Sequence, residues 1–345
     1  MTEIYLITDY KNNFGSKWKA QPYRSGYDKN VLQELFAKNG FKIIVQSAYE
    51  VKFDKKNWEN RWVIYTSLEE KGLHYKNFLF DVLRGIENLG GKLIPGLDFL
   101  QAHENKVFME ILRETKLPEK YRTLNAQVFG TLEDLENSLK KNLITFPCVI
   151  KKSSGSMSRN VALAKNENEL VAAAKKMSST YNFKANLKEI VRTKKYDGYK
   201  PESSFQNKFI IQPFVENLTC DWKVLIYGNQ IYMLKRNIKE NDFKASGSGL
   251  NYTAGSESGF PVEFLNFVYE FYKLLSVPNL SVDFSLINNQ PYIFEFQAIS
   301  FGTSTQYKSE DYYEKTGDSW ELKKNILNQE EVYVNSIVSF IQQIN

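Results

Sequence analysis

The chain has 345 residues, of which 42% are hydrophobic and 25% charged, as in an ordinary globular protein of two or three compact units. Its formal net charge of +5 is mild and is not concentrated in a block, so nothing indicates a nucleic-acid partner. Cys148 and Cys220 lie far apart in apolar runs, and His74 and His103 lack the spacing of metal ligands. A disulfide framework, a zinc site and a histidine-based hydrolase therefore have little support.

The N-terminus, MTEIYLITDYKNNFG, lacks the basic and then apolar pattern of a secretory signal. No run of about eighteen apolar residues is present that would span a bilayer. We therefore expect a cytoplasmic protein without a membrane partner.

Residues 1–104 alternate strand and helix patterns, which predicts an N-terminal domain with a parallel sheet. The predicted strands are 4–8, 41–46, 62–66 and 92–95, and the predicted helices are 28–39 and 77–89. Ligands of such sheets bind at the carboxyl ends of the strands, where the long segment 9–27 follows the first strand. This segment contains Lys17, Tyr23 and Arg24 and is a candidate substrate loop, although a solvated basic loop explains it equally well.

A candidate phosphate-binding loop follows the predicted strand that ends at Lys151. It contains Ser153, Ser154, Gly155 and Ser156. Small residues let backbone N–H groups approach phosphate oxygens, and a lysine adds positive charge. The loop lacks the Walker pattern, and a serine-rich turn is a weak signal when taken alone.

The remaining patterns complete the chain. Helices are predicted over 98–115, 131–141, 168–177 and 262–275, strands over 161–164, 209–215, 221–227 and 230–237, an exposed loop or insertion over 181–208, a glycine-rich stretch over 245–259, and a helical tail over 319–344 that packs on the surface. Pro213 cannot donate to a ladder, so its strand is predicted to be an edge or a hinge.

The last predicted hairpin is the most informative segment of the chain. Alternating runs at 281–287 and 292–298 flank a predicted three-residue turn, 288–290. The apolar face is predicted to carry Val282, Phe284 and Leu286 on one strand and Tyr292, Phe294 and Phe296 on the other.

The opposite face of this hairpin carries Asp283, Glu295 and Gln297, with Asp283 directly across from Glu295. Like charges in this position repel each other, and a bound cation removes the repulsion. Oxygen ligands favour Mg²⁺. The alternative is a solvated face with two unrelated acids.

Four features, taken in their order along the chain, resemble the ATP-grasp superfamily. They are a lysine at the end of a strand before a small-residue loop, a hinge strand, a strand ending in Lys235-Arg236, and the D…E-x-(N/Q) hairpin. The run IIQPFVENLTCDWKVLIYGNQIYMLKR is most similar to its carboxylate:amine ligases, of the D-alanine:D-alanine ligase and glutamate-adding type. The resemblance implies an α/β (α+β) fold: a parallel α/β domain at 1–104 and a two-lobed ATP-grasp fold with lobes at 105–212 and 213–345.

The resemblance also implies ATP as a cofactor and gives roles to residues of the first lobe. Lys106 and Lys151 would contact the phosphates, with the serine-rich loop closing over them. Gln212 would face the adenine amine, and the backbone of Pro213 and Val215 would meet the edge of the ring.

In the second lobe, the resemblance implies that Asp221 holds the ribose and that Arg236 binds the γ-phosphate or an acyl-phosphate. Asp283, Glu295 and Gln297 would hold Mg²⁺. Arg236, Lys151 and Glu295 would then be the catalytic residues, acting by charge stabilisation with little acid–base work.

Three residues depart from the pattern of the family: Gln297 replaces Asn, Lys223 replaces Arg and Asn160 replaces Gly. The expected activity is an ADP-forming ligase that joins a small carboxylic acid, of the amino-acid or sugar-acid class, to an amine. Ser246 and Gly247 are further candidate substrate residues, and a homodimer is compatible with the family. A kinase that stops after phosphorylation and a non-catalytic, regulatory ATP-binding protein remain alternatives.

Overall fold

The computed structural model describes residues 2–155, 160–238 and 252–344. The first part of the chain contains β1 (Thr2–Thr8), α1 (Lys29–Lys38), β2 (Phe41–Ser47), α2 (Lys55–Trp58), β3 (Trp62–Tyr65), α3 (His74–Asn88), β4 (Lys92–Ile94) and α4 (Leu97–Ala102). The middle contains α5 (Lys106–Lys116), β5 (Gln127–Phe129), α6 (Leu132–Lys140), β6 (Cys148–Lys152), β7 (Val161–Ala164), α7 (Glu167–Ser178), α8 (Phe183–Lys195) and β8 (Phe209–Pro213). The last part contains β9 (Cys220–Tyr227), β10 (Gln230–Asn237), β11 (Tyr252–Ala254), α9 (Leu265–Leu275), β12 (Asn279–Ile287), β13 (Gln290–Gln297), α10 (Ser304–Lys308), β14 (Asp311–Thr316), β15 (Ser319–Lys324) and α11 (Gln329–Ile344).

The contacts of the chain divide it into two compact units. Unit 1 comprises Met1–His103, Lys116–Tyr121 and Leu218–Asn345, and unit 2 comprises Glu104–Thr115 and Arg122–Asn217. The division into three domains at 104 and 212 stays a prediction.

Unit 1 contains the predicted parallel sheet, with the strand order β2-β1-β3-β4. Its strands are continuously apolar where helices cover them, as in Trp62–Tyr65, which is buried throughout. Helix α1 begins at the cap Asp28, whose carboxylate accepts from the N–H groups of Asn30 and Val31. The parallel sheet predicted for the N-terminal part of the chain is therefore confirmed.

The tail is not one surface helix, and that prediction is wrong. Residues 319–324 form strand β15, and α11 packs into the core of the parallel sheet through Val334, Ile337, Val338 and Ile341. A helix with apolar residues on several sides has to bury them, and the sheet supplies the surface.

The second sheet of unit 1 is antiparallel, with the order β13-β12-β9-β10-β14-β15 and β11 beside β10. One of its faces packs an aromatic cluster, in which Trp222 and Phe284 meet Phe260 and Phe296 meets Phe271. The alternate residues of the same strands point to the other face, which packs Leu225, Tyr227 and Tyr232 in a second core cluster and carries charged side chains at one end.

Unit 2 is built on the sheet β5-β8-β6-β7. Strand β8 lies between β5 and β6, so the edge prediction is wrong; Pro213 is tolerated because it is the last residue of the strand. The segment 181–208 is not one loop, since it contains α8. Helix α6 is capped by Thr131, and Asp134 completes a capping box.

The predicted helix over 98–115 is two helices, α4 and α5. The chain breaks where Glu104 takes a φ of +52°, and Asn105 then caps the new helix by accepting from the N–H group of Phe108 at 3.3 Å. Lys106 is therefore the first residue of a helix and not an interior one.

Candidate active site

Lys151 and Gln212 lie on the same face of the unit 2 sheet. In the antiparallel pairing of β6 and β8, Lys151 is opposite Ile210 and Gln212 is opposite Val149. The alternate residues of both strands, Cys148, Ile150, Phe209 and Ile211, belong to the apolar core on the other face. Lys151 and Gln212 therefore point away from that core.

The start of the serine-rich loop is tied to the N-terminus of α5. Lys106 N donates to Ser153 O at 2.8 Å, and Lys106 Nζ donates to Gly155 O at 3.0 Å. Ser153 Oγ donates to Asn105 Oδ1 at 3.0 Å, and Gly155 N donates to Glu104 Oε2 at 2.7 Å. The structure thus brings Lys106 to the loop, and its contact with a phosphate stays a prediction.

Gly155 has a backbone conformation that requires glycine. Its φ is +117°, and a Cβ at this position would lie 2.7 Å from the Nδ2 atom of Asn160. Ser154 O also accepts from that Nδ2 atom at 3.5 Å. The loop is therefore held at both ends of its described part, while Ser156 lies outside the described residues.

Gln212 forms a hydrogen bond with a buried ion pair that was not predicted from the sequence. Its Nε2 atom donates to Glu110 Oε1 at 2.9 Å, and Arg113 Nε donates to Glu110 Oε2 at 2.8 Å. The spacing of Glu110 and Arg113 on a helix was the available signal. Pro213 is exposed and Val215 half-buried.

In unit 1, the charged face of the antiparallel sheet aligns five side chains across four strands. Arg236 on β10 is opposite Asp221 on β9, Lys223 on β9 is opposite Asp283 on β12, and Asp283 is opposite Glu295 on β13. Residues directly opposite each other on paired strands, and alternate residues along one strand, point to the same face of a sheet. All five side chains therefore lie on one face. The predicted pairing of Asp283 with Glu295 is thus present.

The turn that produces this pairing differs from the prediction. It has two residues, Asn288 and Asn289, both with positive φ, and Ile287 pairs with Gln290. A β-bulge after Asp283 then shifts the register by one, which restores the Asp283–Glu295 pair.

The same bulge changes the apolar face of β13. Ile293 and Phe296 are buried there, whereas Tyr292 and Phe294 are half-buried and stack on each other with ring centroids 6.2 Å apart. The prediction that Tyr292 and Phe294 lie in the core is wrong, because the extra residue of a bulge reverses the alternation.

Arg236 lies between two carboxylates. Its Nε and Nη2 atoms donate to both oxygens of Asp221 at 2.6 and 2.7 Å, and Nη2 lies 3.0 Å from Asp283 Oδ2. Burial by itself raises the pKa of Asp283, but the Arg236 and Lys223 cations outweigh it and hold that pKa at about 2. Burial raises the pKa of Asp221 to about 6 against the opposing effect of Arg236.

Asp283, Glu295 and Gln297 fit Mg²⁺ by their donor chemistry. Asp283 Oδ1 is buried and, among the described residues, accepts no hydrogen bond; it lies 3.6 Å from Lys223 Nζ. Gln297 Nε2 donates to Glu295 Oε1 at 3.5 Å, so the amide is beside the carboxylate. The described ranges contain no cluster of three His, Cys, Asp or Glu residues suited to a metal, so Gln297 would have to supply the third protein oxygen.

The candidate substrate loop is anchored within unit 1. Lys17 Nζ forms a 2.6 Å ion pair with the buried Glu330 of α11, so at least this lysine has a structural partner. Tyr23 is 80% exposed, and the Arg24 guanidinium lies 5.3 Å from its ring centroid. Ser246 and Gly247 lie outside the described residues.

A polar cluster near the carboxyl end of β3 was also missed by sequence reasoning. His103 is buried, its Nδ1 atom is 2.8 Å from Ser67 Oγ, and its Nε2 atom is 3.6 Å from Glu69 Oε1. The contact with His103 lowers the pKa of Glu69, and the charges of Arg24 and Lys223 lower it further. The signal was the position of Ser67 and Glu69 directly after a parallel strand.

No protein-family model matches the sequence, and no curated protein matches it in sequence. Solved structures do match. D-cycloserine synthetase DcsG superposes with a TM-score of 0.52 at 12% identity over 98% of this chain and 99% of that one. D-alanine–D-alanine ligase from Bacillus anthracis has a TM-score of 0.52 at 14% identity over 100% and 98%.

N5-carboxyaminoimidazole ribonucleotide synthetase, solved as an ADP complex, has a TM-score of 0.52 at 13% identity over 98% of this chain and 77% of that one. Identities this low establish the fold alone. With its parallel α/β sheet and two antiparallel sheets, the chain has the ATP-grasp fold that the sequence predicts.

Proposed function

We propose that the protein is an ATP-dependent carboxylate:amine ligase that releases ADP and phosphate. The observation that carries the proposal is the charged face of unit 1, where one sheet presents Arg236, Lys223, Asp283 and Glu295 in adjacent strands. Alternating cations and carboxylates of this kind suit a metal–phosphate group. The similar folds named above belong to proteins described as ligases and synthetases, and one of them was solved with ADP.

The chemistry follows from what these side chains can stabilise. A carboxylate oxygen of the acid attacks the γ-phosphorus of ATP, the bond to the β-phosphate oxygen breaks, and ADP leaves. A neutral amine then attacks the acyl carbon, the bond to the phosphate oxygen breaks, and phosphate leaves as the amine loses a proton. We assign Arg236 to the transferred phosphoryl group, because a buried guanidinium offers oriented donors to developing negative charge.

Within unit 2, nucleotide contacts are assigned to Lys106, Lys151 and Gln212. Mg²⁺, when bound by Asp283, Glu295 and Gln297, would neutralise phosphate charge. The pairing register of β12 and β13 holds the two carboxylates of this set, Asp283 and Glu295, side by side. For Asp221 to hold a ribose, its ion pair with Arg236 would have to open, or its carboxylate would have to accept from Arg236 and the ribose together.

A non-catalytic nucleotide-binding protein is the second candidate, and one observation favours it. Asp283 lies 3.0 Å from an Arg236 donor and 3.6 Å from Lys223 Nζ, so two cations already balance its charge without a metal. A kinase is the third candidate, and it would share every contact with ATP.

Magnesium dependence of nucleotide affinity separates the first two candidates. We expect Mg²⁺ to tighten binding of a non-hydrolysable ATP analogue by about tenfold or more in calorimetric titrations, since a cation offsets the repulsion between phosphates and carboxylates. Glu295→Gln should lose most of this tightening, because one of the two metal carboxylates disappears. Gln297→Asn, the matched control, should retain it because the amide oxygen remains.

Affinity that does not respond to Mg²⁺ in the wild-type protein would contradict the metal assignment and favour the non-catalytic candidate. A normal response in Glu295→Gln would remove Glu295 from the metal site. Thermal unfolding of both variants would exclude a loss of fold.

A further inference from the structure

Helix α8 turns its apolar side chains to solvent. Phe183 is 69% exposed, Leu187 52%, Ile190 55% and Val191 55%, and none of the residues of this helix is buried. At 100° per residue these four side chains form one continuous stripe. Amphipathic helices of globular proteins usually bury such a stripe, so the fold of the described residues does not use it.

Hydrogen bonds on the opposite side fix this orientation. Asn186 Oδ1 accepts from Ser204 Oγ at 3.2 Å, and Glu189 Oε2 accepts from Tyr199 Oη at 2.6 Å and from Glu202 N at 3.1 Å. These contacts lie within unit 2. The helix is therefore attached to its unit by its polar side, which leaves the apolar stripe facing outward.

A row of lysines runs beside the stripe. Arg192 pairs with the only acid of the helix, Glu189, at 2.6 Å. Lys184, Lys188 and Lys195 follow the apolar stripe along one flank, and Lys194 lies at its C-terminal end. Among the residues that the structure describes, these four lysines form no ion pair, so their charge is available to a partner.

Exposed aromatic residues continue the surface at both ends of the helix. Tyr181 precedes α8 and is 64% exposed, and Tyr196 follows it and is 53% exposed. Tyrosine and phenylalanine beside lysines are typical of helices that lie in the boundary between lipid headgroups and acyl chains.

We propose that α8 docks the protein on an anionic lipid surface, with the stripe Phe183, Leu187, Ile190 and Val191 in the boundary and the lysines on the headgroups. A second copy of this chain fits less well, because an isologous contact through α8 would bring two rows of lysine together. The expectation of no membrane partner rested on the lack of a spanning segment. Among the described helices none is long and apolar enough to cross a membrane, but surface docking needs no such helix.

Vesicle sedimentation tests this docking without any knowledge of the substrates. The full chain should bind vesicles of phosphatidylcholine with 30% phosphatidylglycerol, bind pure phosphatidylcholine vesicles about tenfold more weakly, and detach as salt is raised. Phe183→Ser/Ile190→Ser should lower the partition coefficient about tenfold or more. Lys184→Glu/Lys188→Glu should lower it on anionic vesicles alone.

The matched control is Ile326→Ser, which removes an 85% exposed apolar side chain of unit 1 and should bind vesicles as the wild type does. Circular dichroism and affinity for the ATP analogue should be unchanged in every variant. Absence of binding to anionic vesicles at low salt would overturn the proposal, as would equal binding by Phe183→Ser/Ile190→Ser and the control. A wild-type dimer that this double substitution converts to monomers, without vesicle binding, would assign the face to a second copy and reject the lipid.

Discussion

Lys151→Ala is expected to weaken binding of a non-hydrolysable ATP analogue by roughly 30-fold to 1,000-fold and to abolish turnover. Lys151 stands on the face of β6 that points away from the unit 2 core cluster, as does Gln212 on the neighbouring strand. An unpaired phosphate charge in a partly enclosed site costs about 2–4 kcal/mol, which corresponds to that range of affinity. Calorimetric titration measures it directly.

Lys152→Ala is the matched control, since it removes the same side chain from the next position of the strand, on the opposite face. We expect it to change the affinity by about threefold or less, within the range of surface substitutions. Equal affinities for the wild type and Lys151→Ala would remove Lys151 from the phosphate site, and a larger loss in Lys152→Ala would assign the site to the other face.

Arg236→Ala is expected to lower the free energy of unfolding by about 3–5 kcal/mol. It leaves Asp221 and Asp283, both paired with Arg236 at 3.0 Å or less, as neighbouring carboxylates without their shared cation. Denaturant unfolding measures the loss. Lys235→Ala, the neighbouring substitution on the other face, removes only a lysine 5.8 Å from the Trp222 ring centroid and should cost about 1 kcal/mol or less.

Replacing the whole buried group tests the cause of this loss. Arg236→Met combined with Asp221→Leu, Asp283→Leu and Lys223→Met should recover most of the stability, because the two carboxylates and both of their cations are then removed together. A loss below about 1 kcal/mol in Arg236→Ala would contradict the buried pairing. Arg236→Lys, which keeps the charge but not the bidentate geometry, should be intermediate.

The last hairpin shows how much local sequence can predict. The apolar alternation together with the predicted turn placed Asp283 across from Glu295, and the structure has this pair. The turn was predicted one residue too long and the bulge was missed, and the two errors cancel in the register. A bulge leaves no local pattern, because its extra residue, here Phe294, is an ordinary strand residue.

Contacts between distant segments were beyond the reach of local patterns. The pairing of Lys17 with Glu330 joins residues 313 positions apart, and that of Gln212 with Glu110 joins residues 102 apart. The burial of α11 against the parallel sheet belongs to the same class. Periodicity identifies an element and its apolar face, whereas the neighbour that covers the face is decided by packing.

The fold was predictable because several weak signals occurred in a fixed order. Lys106, Lys151, Gln212 and the Asp283–Glu295 pair each have an ordinary structural explanation when taken singly. Their order along 345 residues was specific, and solved structures at 12–14% identity confirm the fold.

The most direct test of the ligase proposal uses hydroxylamine as the amine. The protein is incubated with ATP, Mg²⁺ and a panel of small carboxylic acids, and the nucleotide products are separated by anion exchange. With an accepted acid we expect a hydroxamate and an equal amount of ADP, because the acyl-phosphate is consumed by the amine. Formation of AMP would contradict the proposal, and a stable phosphorylated acid or alcohol that hydroxylamine does not consume would show a kinase instead.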